Sequence, residues 1–294
     1  MTERTATRWA ADIRCILRQV LAHEALPVDV AAVAMELSRQ WYTDDPVSAV
    51  TGARLPGFDG ALIPDPARRK GWLILYNDRI ESLGRIAFTL AHEFGHYLQH
   101  RARSPEGFHC KGEDFVRWDP AYRRLESEAN VFAASLLMPL DDFRAQLPAR
   151  DAVDLEILGA CADRYGVSLI AAALRWLEYT ARRAVLVLSR EGFVLWARAS
   201  EAAFGSGLFI KTAGRPPVEV PQESLAAHAA LASRERLSAS HPEGVWFAEE
   251  CREFVLPSER YDFAISLLLF SGTLPDWETQ RSNRAWGLGL PYSV

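Results

Sequence analysis

The stretch Ile86-Ala87-Phe88-Thr89-Leu90-Ala91-His92-Glu93-Phe94-Gly95-His96 constrains this chain more than any other, because it sets two imidazoles and a carboxylate in an apolar run. If the run is helical, residues four apart lie one turn above each other, so His92 and His96 present both rings to one point. Glu93 stands one step further round, near enough to reach a water at that point without occupying it. The apolar neighbours predict a buried helix, and burying polar groups without partners costs roughly 2–7 kcal/mol each. A partner element must therefore bring a cation or complementary polar groups to this helix. The His-Glu-x-x-His spacing is the arrangement used by zinc hydrolases.

A catalytic zinc takes three protein ligands and leaves a fourth position to water. The third is sought in Leu125-Glu126-Ser127-Glu128-Ala129-Asn130-Val131-Phe132, which continues small and apolar to Met138-Pro139. On a helix Glu126 and Asn130 share a face, whereas Glu128 points about 200° away from Glu126. The coherent set is Glu126 as ligand and Asn130 as a hydrogen-bond partner of a zinc histidine. Glu128 is the alternative ligand, and Glu93 the general base. For the oxyanion, Tyr97, Tyr122 and Arg124 are near in sequence, and spacing selects none of them. The connection 101–122 between the two ligand helices carries Cys110. Zinc binds thiolate at about 2.3 Å, so Cys110 is a candidate inhibitory fourth ligand that displaces the water. His109 is a weaker candidate for that position, and an inert loop cysteine is the plain alternative.

At 294 residues the chain fits two domains. Hydrophobic residues at 49% against 24% charged suit packed cores rather than disorder. The four cysteines form no CxxC pair, which predicts reduced thiols. The amino terminus is charged from its third residue and lacks the apolar stretch of a secretory signal. The richest apolar run, 264–270, is far shorter than the roughly 20 residues that cross a bilayer. These features predict a cytoplasmic protein with no membrane association. A net charge of −5 gives no global attraction to nucleic acid.

Residues 7–40 read as two helices parted near Ala25-Leu26-Pro27, with Pro27 in the first turn of the second. Residues 41–78 read as a small sheet around the apolar runs 60–63 and 72–76, the latter either an edge for an extended peptide or an ordinary buried core strand. Helical spacing returns over 81–101 and 125–137. Residues 154–180 predict a helix, a turn at Gly166 and a helix capped by Ser168. The second of these helices is nearly all apolar with one arginine, which suits packing or partner docking better than reading base edges. Further on, a hairpin over 184–198, strand candidates at 207–212, 244–248 and 264–270, and a helix over 223–233 predict a separate α+β domain. Arg182, Arg183, Arg198, Lys211 and Arg215 near Trp196 and Phe209 form a candidate basic patch for a phosphate-bearing or single-stranded nucleic acid activator. Scattered surface charge is the plainer alternative.

The run from Ile86 through His92-Glu93-Phe94-Gly95-His96-Tyr97-Leu98-Gln99-His100, with Glu126-Ser127-Glu128-Ala129-Asn130 and 132–139, closely resembles the ImmA/IrrE family of zinc metallopeptidases. The resemblance is specific over about 60–140 and vaguer up to 180. It implies an intracellular protease that cuts a helix-turn-helix transcriptional repressor, releasing genes for stress response or antiviral defence. It also implies an α+β chain: a zincin-like metallopeptidase domain over 1–150, a helix-turn-helix-like segment over 151–181 and a GAF-like sensor domain over 182–275. The remainder, 276–294, with Gly287, Gly289 and Pro291, reads as a flexible tail. A small-molecule or single-stranded nucleic acid activator at the carboxy-terminal domain is expected. Two other functions compete: a DNA-binding regulator, and a ligand-sensing regulator whose zinc is non-catalytic. An intact Glu93 speaks against the second, since a structural site needs no base.

Overall fold

The computed structural model describes residues 4–21, 26–67, 70–111, 120–228, 237–258 and 263–273, the side chains of 109–111, 258 and 273 excepted. The chain divides into two compact units, one drawn from 1–140 and 162–168, the other from 141–161 and 169–286.

In the first unit, α1 (Ala6–Leu21) buries Ala6, Ala10, Ile13 and Leu17, an apolar stripe at helical spacing, with Arg14 buried beside them. Helix α2 (Val30–Trp41) starts at Asp29, whose carboxylate accepts from the Ala32 amide at 3.0 Å. Pro27 therefore precedes the helix instead of sitting in its first turn, because the side-chain cap at Asp29 fixes the start. Strands β1 (Val47–Ala53), β2 (Phe58–Pro64) and β3 (Trp72–Asn77) are followed by helix α3 (Leu83–Gln99) and strand β4 (Phe108–Lys111). The sheet runs β1-β3-β2-β4, with β3 parallel to β1 and antiparallel to β2, and β4 antiparallel to β2. The run 72–76 is thus an inner strand bonded on both sides and offers no edge to a peptide. Its near-continuous apolar sequence suits that interior place. Among the described strands of this sheet, β1 and β4 are the edges.

Helix α4 (Pro120–Leu137) packs along α3 and α1. It begins five residues before the apolar stretch, since Pro120 fits a first helical turn and the exposed Ala121, Arg123 and Arg124 extend the helix into solvent. A short α5 (Leu140–Gln146) follows. Helices α6 (Leu155–Tyr165) and α7 (Leu169–Leu177) meet at 107°, with Gly166 at φ +63° in the turn. That angle is within the range of helix-turn-helix pairs.

The second unit holds a six-stranded sheet in the order β7-β6-β5-β10-β9-β8, antiparallel throughout. Its strands are β5 (Arg182–Arg190), β6 (Phe193–Ala199), β7 (Val218–Glu219), β8 (Leu237–His241), β9 (Cys251–Ser258) and β10 (Phe263–Thr273). Two short helices, α8 (Glu201–Gly205) and α9 (Leu225–His228), lie between strands. Residues 184–189 of β5 are all buried, so this strand is covered on both faces. Val185, Val187, Leu268 and Phe270 form one core with Ala203 and Leu208. The strand candidates 207–212 and 244–248 are instead turns and irregular chain. Their glycines at 207 and 244 have φ of +84° and +93°, which an extended strand does not allow. Of the helix expected over 223–233, residues 225–228 form α9 and 223–224 are turn, while 229–233 and the tail 276–294 lie outside the described residues. No single helix among the described residues is long and apolar enough to cross a membrane.

Candidate metal centre

Ser82 caps α3 by accepting from the Arg85 amide at 3.3 Å. From Thr89 to Leu98 every residue of the helix is buried, so both histidines and Glu93 are enclosed. Gly95 faces α4: a Cβ there would stand 3.0 Å from Phe132 Cδ1 and 3.3 Å from Ala129 Cα. The missing side chain lets the two helices approach closely enough for Glu126 on α4 to reach His92 and His96 on α3.

Glu126 Oε2 lies 3.2 Å from His92 Nε2, and Glu126 Oε1 lies 3.4 Å from His96 Nε2. The two Nε2 atoms are 3.0 Å apart. All the candidate ligand atoms of this trio lie within 4.8 Å of one another. Ligands about 2.0–2.1 Å from a tetrahedral zinc stand roughly 3.3 Å from each other, so the trio suits such an ion without rearrangement. Two imidazoles and a carboxylate are also the right donors. Asn130, one turn beyond Glu126, places Oδ1 2.8 Å from His92 Nδ1.

The electrostatics of the trio are those of tightly coupled groups. Burial pushes His92 down, but the Glu126 hydrogen bond and charge, with Glu93 and Asn130, outweigh it and raise its pKa to about 9. Burial, helped by the neighbouring His92 and His100, holds His96 down to about 4 against the pull of Glu126. Burial alone would raise Glu126, yet its hydrogen bonds to both histidines keep it well below the usual carboxylate range.

Glu93 is 0% exposed and lies against β2: a Cβ at Gly60 would stand 2.7 Å from Glu93 Oε1 and 2.5 Å from Thr89 Cγ2. Only glycine at position 60 leaves room for that carboxylate between helix and strand. Glu128 stays out of the trio. One of its oxygens lies 3.1 Å from His100 Nε2, and the other accepts from Arg124 Nε at 2.8 Å. Arg124 is thus engaged with Glu128 rather than held open for an oxyanion. The Tyr97 hydroxyl donates to the Asp45 carbonyl at 3.0 Å, with Arg101 over its ring at 4.4 Å, so Tyr97 anchors the helix end. Tyr122 is half-buried on α4.

The connection after α3 is not all loop, because it forms β4 against β2. Phe108 of that strand stacks on His96, with centroids 4.4 Å apart and planes at 23°. The backbone of Cys110 and His109 belongs to β4, while their side chains lie outside the described residues. Sequence reasoning missed His100 and Phe108. His100 continues the four-residue spacing of His92 and His96, and that was the available signal; nothing marked Phe108.

In the second unit Arg183 is ion-paired to Glu249 and donates to the Ser271 carbonyl at 3.1 Å. Arg182 instead lines a cavity of about 460 Å³ with Arg252, His241, Phe254 and Phe270. The expected patch is therefore divided at its first two members: Arg183 is neutralised by a partner, and Arg182 faces a cavity.

A His/His/Glu trio on two close helices, with both histidines buried and an enclosed glutamate next to it, is compatible with a metal site. In keeping with this, residues 49–177 match the family described as Peptidase_M78, IrrE N-terminal-like domain. The matched stretch takes in most of the first sheet, both site helices and α7, and stops before β5. Comparison with curated proteins returns no match.

Proposed function

We propose that this chain is a zinc-dependent endopeptidase that makes a limited cut in a helix-turn-helix transcriptional repressor, acting in the cytoplasm in a stress or phage-defence response. The observation that carries the reading is the trio itself, with Nε2 and carboxylate oxygens 3.0–3.4 Å apart and Glu93 enclosed beside it. His92, His96 and Glu126 would hold the ion, which when bound supplies Lewis-acid polarisation of a scissile carbonyl and acidifies a water. Glu93 accepts the proton of the attacking water and returns it to the leaving amine. Asn130 fixes the ring of His92 through Nδ1, so that Nε2 faces the centre of the trio.

The substrate class rests on likeness to the IrrE N-terminal-like domain. The cavity of mixed charge lined by Arg182, Arg252, Asp154 and Glu250 is the proposed seat of a small-molecule activator in a sensor-like second unit. A role for α7 in reading bases is disfavoured, because Ala171 through Leu177 are all buried and Arg175 is paired with Glu178 at 2.6 Å. The test is single-turnover cleavage of candidate repressors by wild type and Glu93→Gln, with zinc content measured in both. The reading expects equal zinc and a loss of turnover of at least a hundredfold, within the usual worth of a general base. Equal cleavage by the two proteins removes Glu93 from the mechanism. Rapid digestion of casein by wild type would contradict a limited cut.

A further inference from the structure

Each of the two histidines has its outer nitrogen engaged, but by different means. For His92 the partner is Asn130. For His96 it is a third histidine: His96 Nδ1 lies 3.0 Å from His100 Nδ1. His100 is 1% exposed, and its other nitrogen lies 3.1 Å from Glu128 Oε2. Glu128 is held in turn by Arg124 at the solvent side of α4, where the Arg124 side chain is 77% exposed. The line therefore runs from the centre of the trio to the surface through His96, His100, Glu128 and Arg124.

Hydrogen positions along this line follow from the donor and acceptor inventory. A histidine that offers Nε2 as a ligand carries its proton on Nδ1. The atom facing His96 Nδ1 must then accept, so His100 Nδ1 is unprotonated. The proton of His100 sits on Nε2, and the atom facing it must accept as well. Glu128 is a carboxylate and only accepts. Every donor meets one acceptor, and the chain of bonds permits one tautomer at each ring.

We infer that His100 and Glu128 are positioning residues that fix the tautomer and ring angle of His96, so that Nε2 is presented to the metal. This assigns Glu128, the rival candidate ligand, a task one step outside the donor set. Phe108, stacked on His96 and 5.8 Å by centroid from His100, holds the ring plane against β4 while the hydrogen bonds hold its rotation. The inference rests on the zinc site of the proposed function.

The experiment measures zinc affinity of the full chain by competition with a chromophoric chelator at fixed pH, and records the visible spectrum of the cobalt-substituted protein. Circular dichroism and thermal melting monitor the fold. His100→Phe leaves the His96 proton facing a ring with no acceptor, and should weaken zinc binding 10–100-fold, the usual effect of removing such an outer partner. Glu128→Leu acts two bonds away at a partly exposed position, so it keeps the fold. It should weaken binding several-fold and shift the cobalt bands. Glu128→Gln, whose amide oxygen still accepts, should recover most of the affinity. Wild-type affinity in both His100→Phe and Glu128→Leu overturns the positioning role, as does a Glu128→Gln protein no better than Glu128→Leu. If wild type itself binds no zinc, it is the metal site that fails.

Discussion

At the scale of single residues, the site depends as much on what is missing as on what is present. Gly60 carries no donor, yet a methyl group there would lie 2.7 Å from Glu93 Oε1. Gly60→Ala should therefore displace Glu93 while leaving the trio on α3 and α4 in place. Zinc affinity should stay near wild type and turnover should fall about a hundredfold, the cost of roughly 1 Å of misplacement in a reacting group. Loss of zinc along with turnover would show that β2 supports the ligands too. The cysteines give a second residue-level expectation. Cys251 is buried, and burial together with Glu253 pushes its pKa up to about 12. A raised thiol pKa keeps the protonated, unreactive form to higher pH, so Cys251 stays a thiol at pH 8. Iodoacetamide at pH 8 should mark exposed Cys15 before Cys251, and mass spectrometry should find Cys251 unmodified until the protein is unfolded. The trio was legible in the sequence because four-residue spacing on a helix is a local property: His92 with His96, and Glu126 with Asn130, could be paired without knowing the fold. Phe108 and Gly60 were not legible. Their part depends on which strand crosses the helix, and no local pattern encodes that.

At the scale of elements, the close passage of α3 over α4 decides whether the site exists. Phe132 is fully buried and meets Phe94 edge-on at 5.8 Å, beneath Gly95. Phe132→Ala should cost about 3–5 kcal/mol through lost burial and the cavity left behind, measured by urea denaturation. Gly95→Val should cost about 1–3 kcal/mol through overpacking, and should weaken zinc binding as well because it pushes Glu126 away from the histidines. A Gly95→Val protein with normal zinc affinity would show that the helices adjust without parting the ligands. The long helices were readable because buried stripes such as Ala10, Ile13 and Leu17 recur at helical spacing. The hairpin of β5 and β6 was readable from two apolar runs around Arg190-Glu191-Gly192. Strand β9 was not, since its buried inward face holds Glu253 between Cys251 and Val255, and a charge at an inward position hides the alternation. Its place becomes intelligible only with the partners: Glu253 accepts from His241 at 2.7 Å and from the Leu225 and Ala226 amides at 2.8 and 3.2 Å. For β3 the apolar run allowed both an edge and an inner strand, and the choice between them depends on strand order, which is set by contacts far apart in sequence.

At the scale of the whole molecule, all three proposed ligands, the base and the line from His96 to Glu128 belong to the first unit, and the six-stranded sheet with its own core belongs to the second. A ligand that binds only the folded state stabilises it by RT ln(1 + [L]/Kd), about 2.7 kcal/mol when present at a hundred times Kd. That free energy is delivered where the ligand atoms are. Hydrogen exchange followed by mass spectrometry, on the chain stripped of metal and again with zinc restored, should therefore show slowed exchange in α3, α4 and β2. Amides of β5, β9 and β10 should exchange at the same rate in both. At that saturation the slowing should approach a hundredfold wherever exchange proceeds by opening of the site, since 1.4 kcal/mol corresponds to a factor of about ten. Glu126→Ala supplies the control, because it removes a ligand without touching the second unit and should abolish the difference. Protection spread equally over both sheets would show that the two units open as one cooperative body, and protection confined to the second sheet would place the zinc elsewhere.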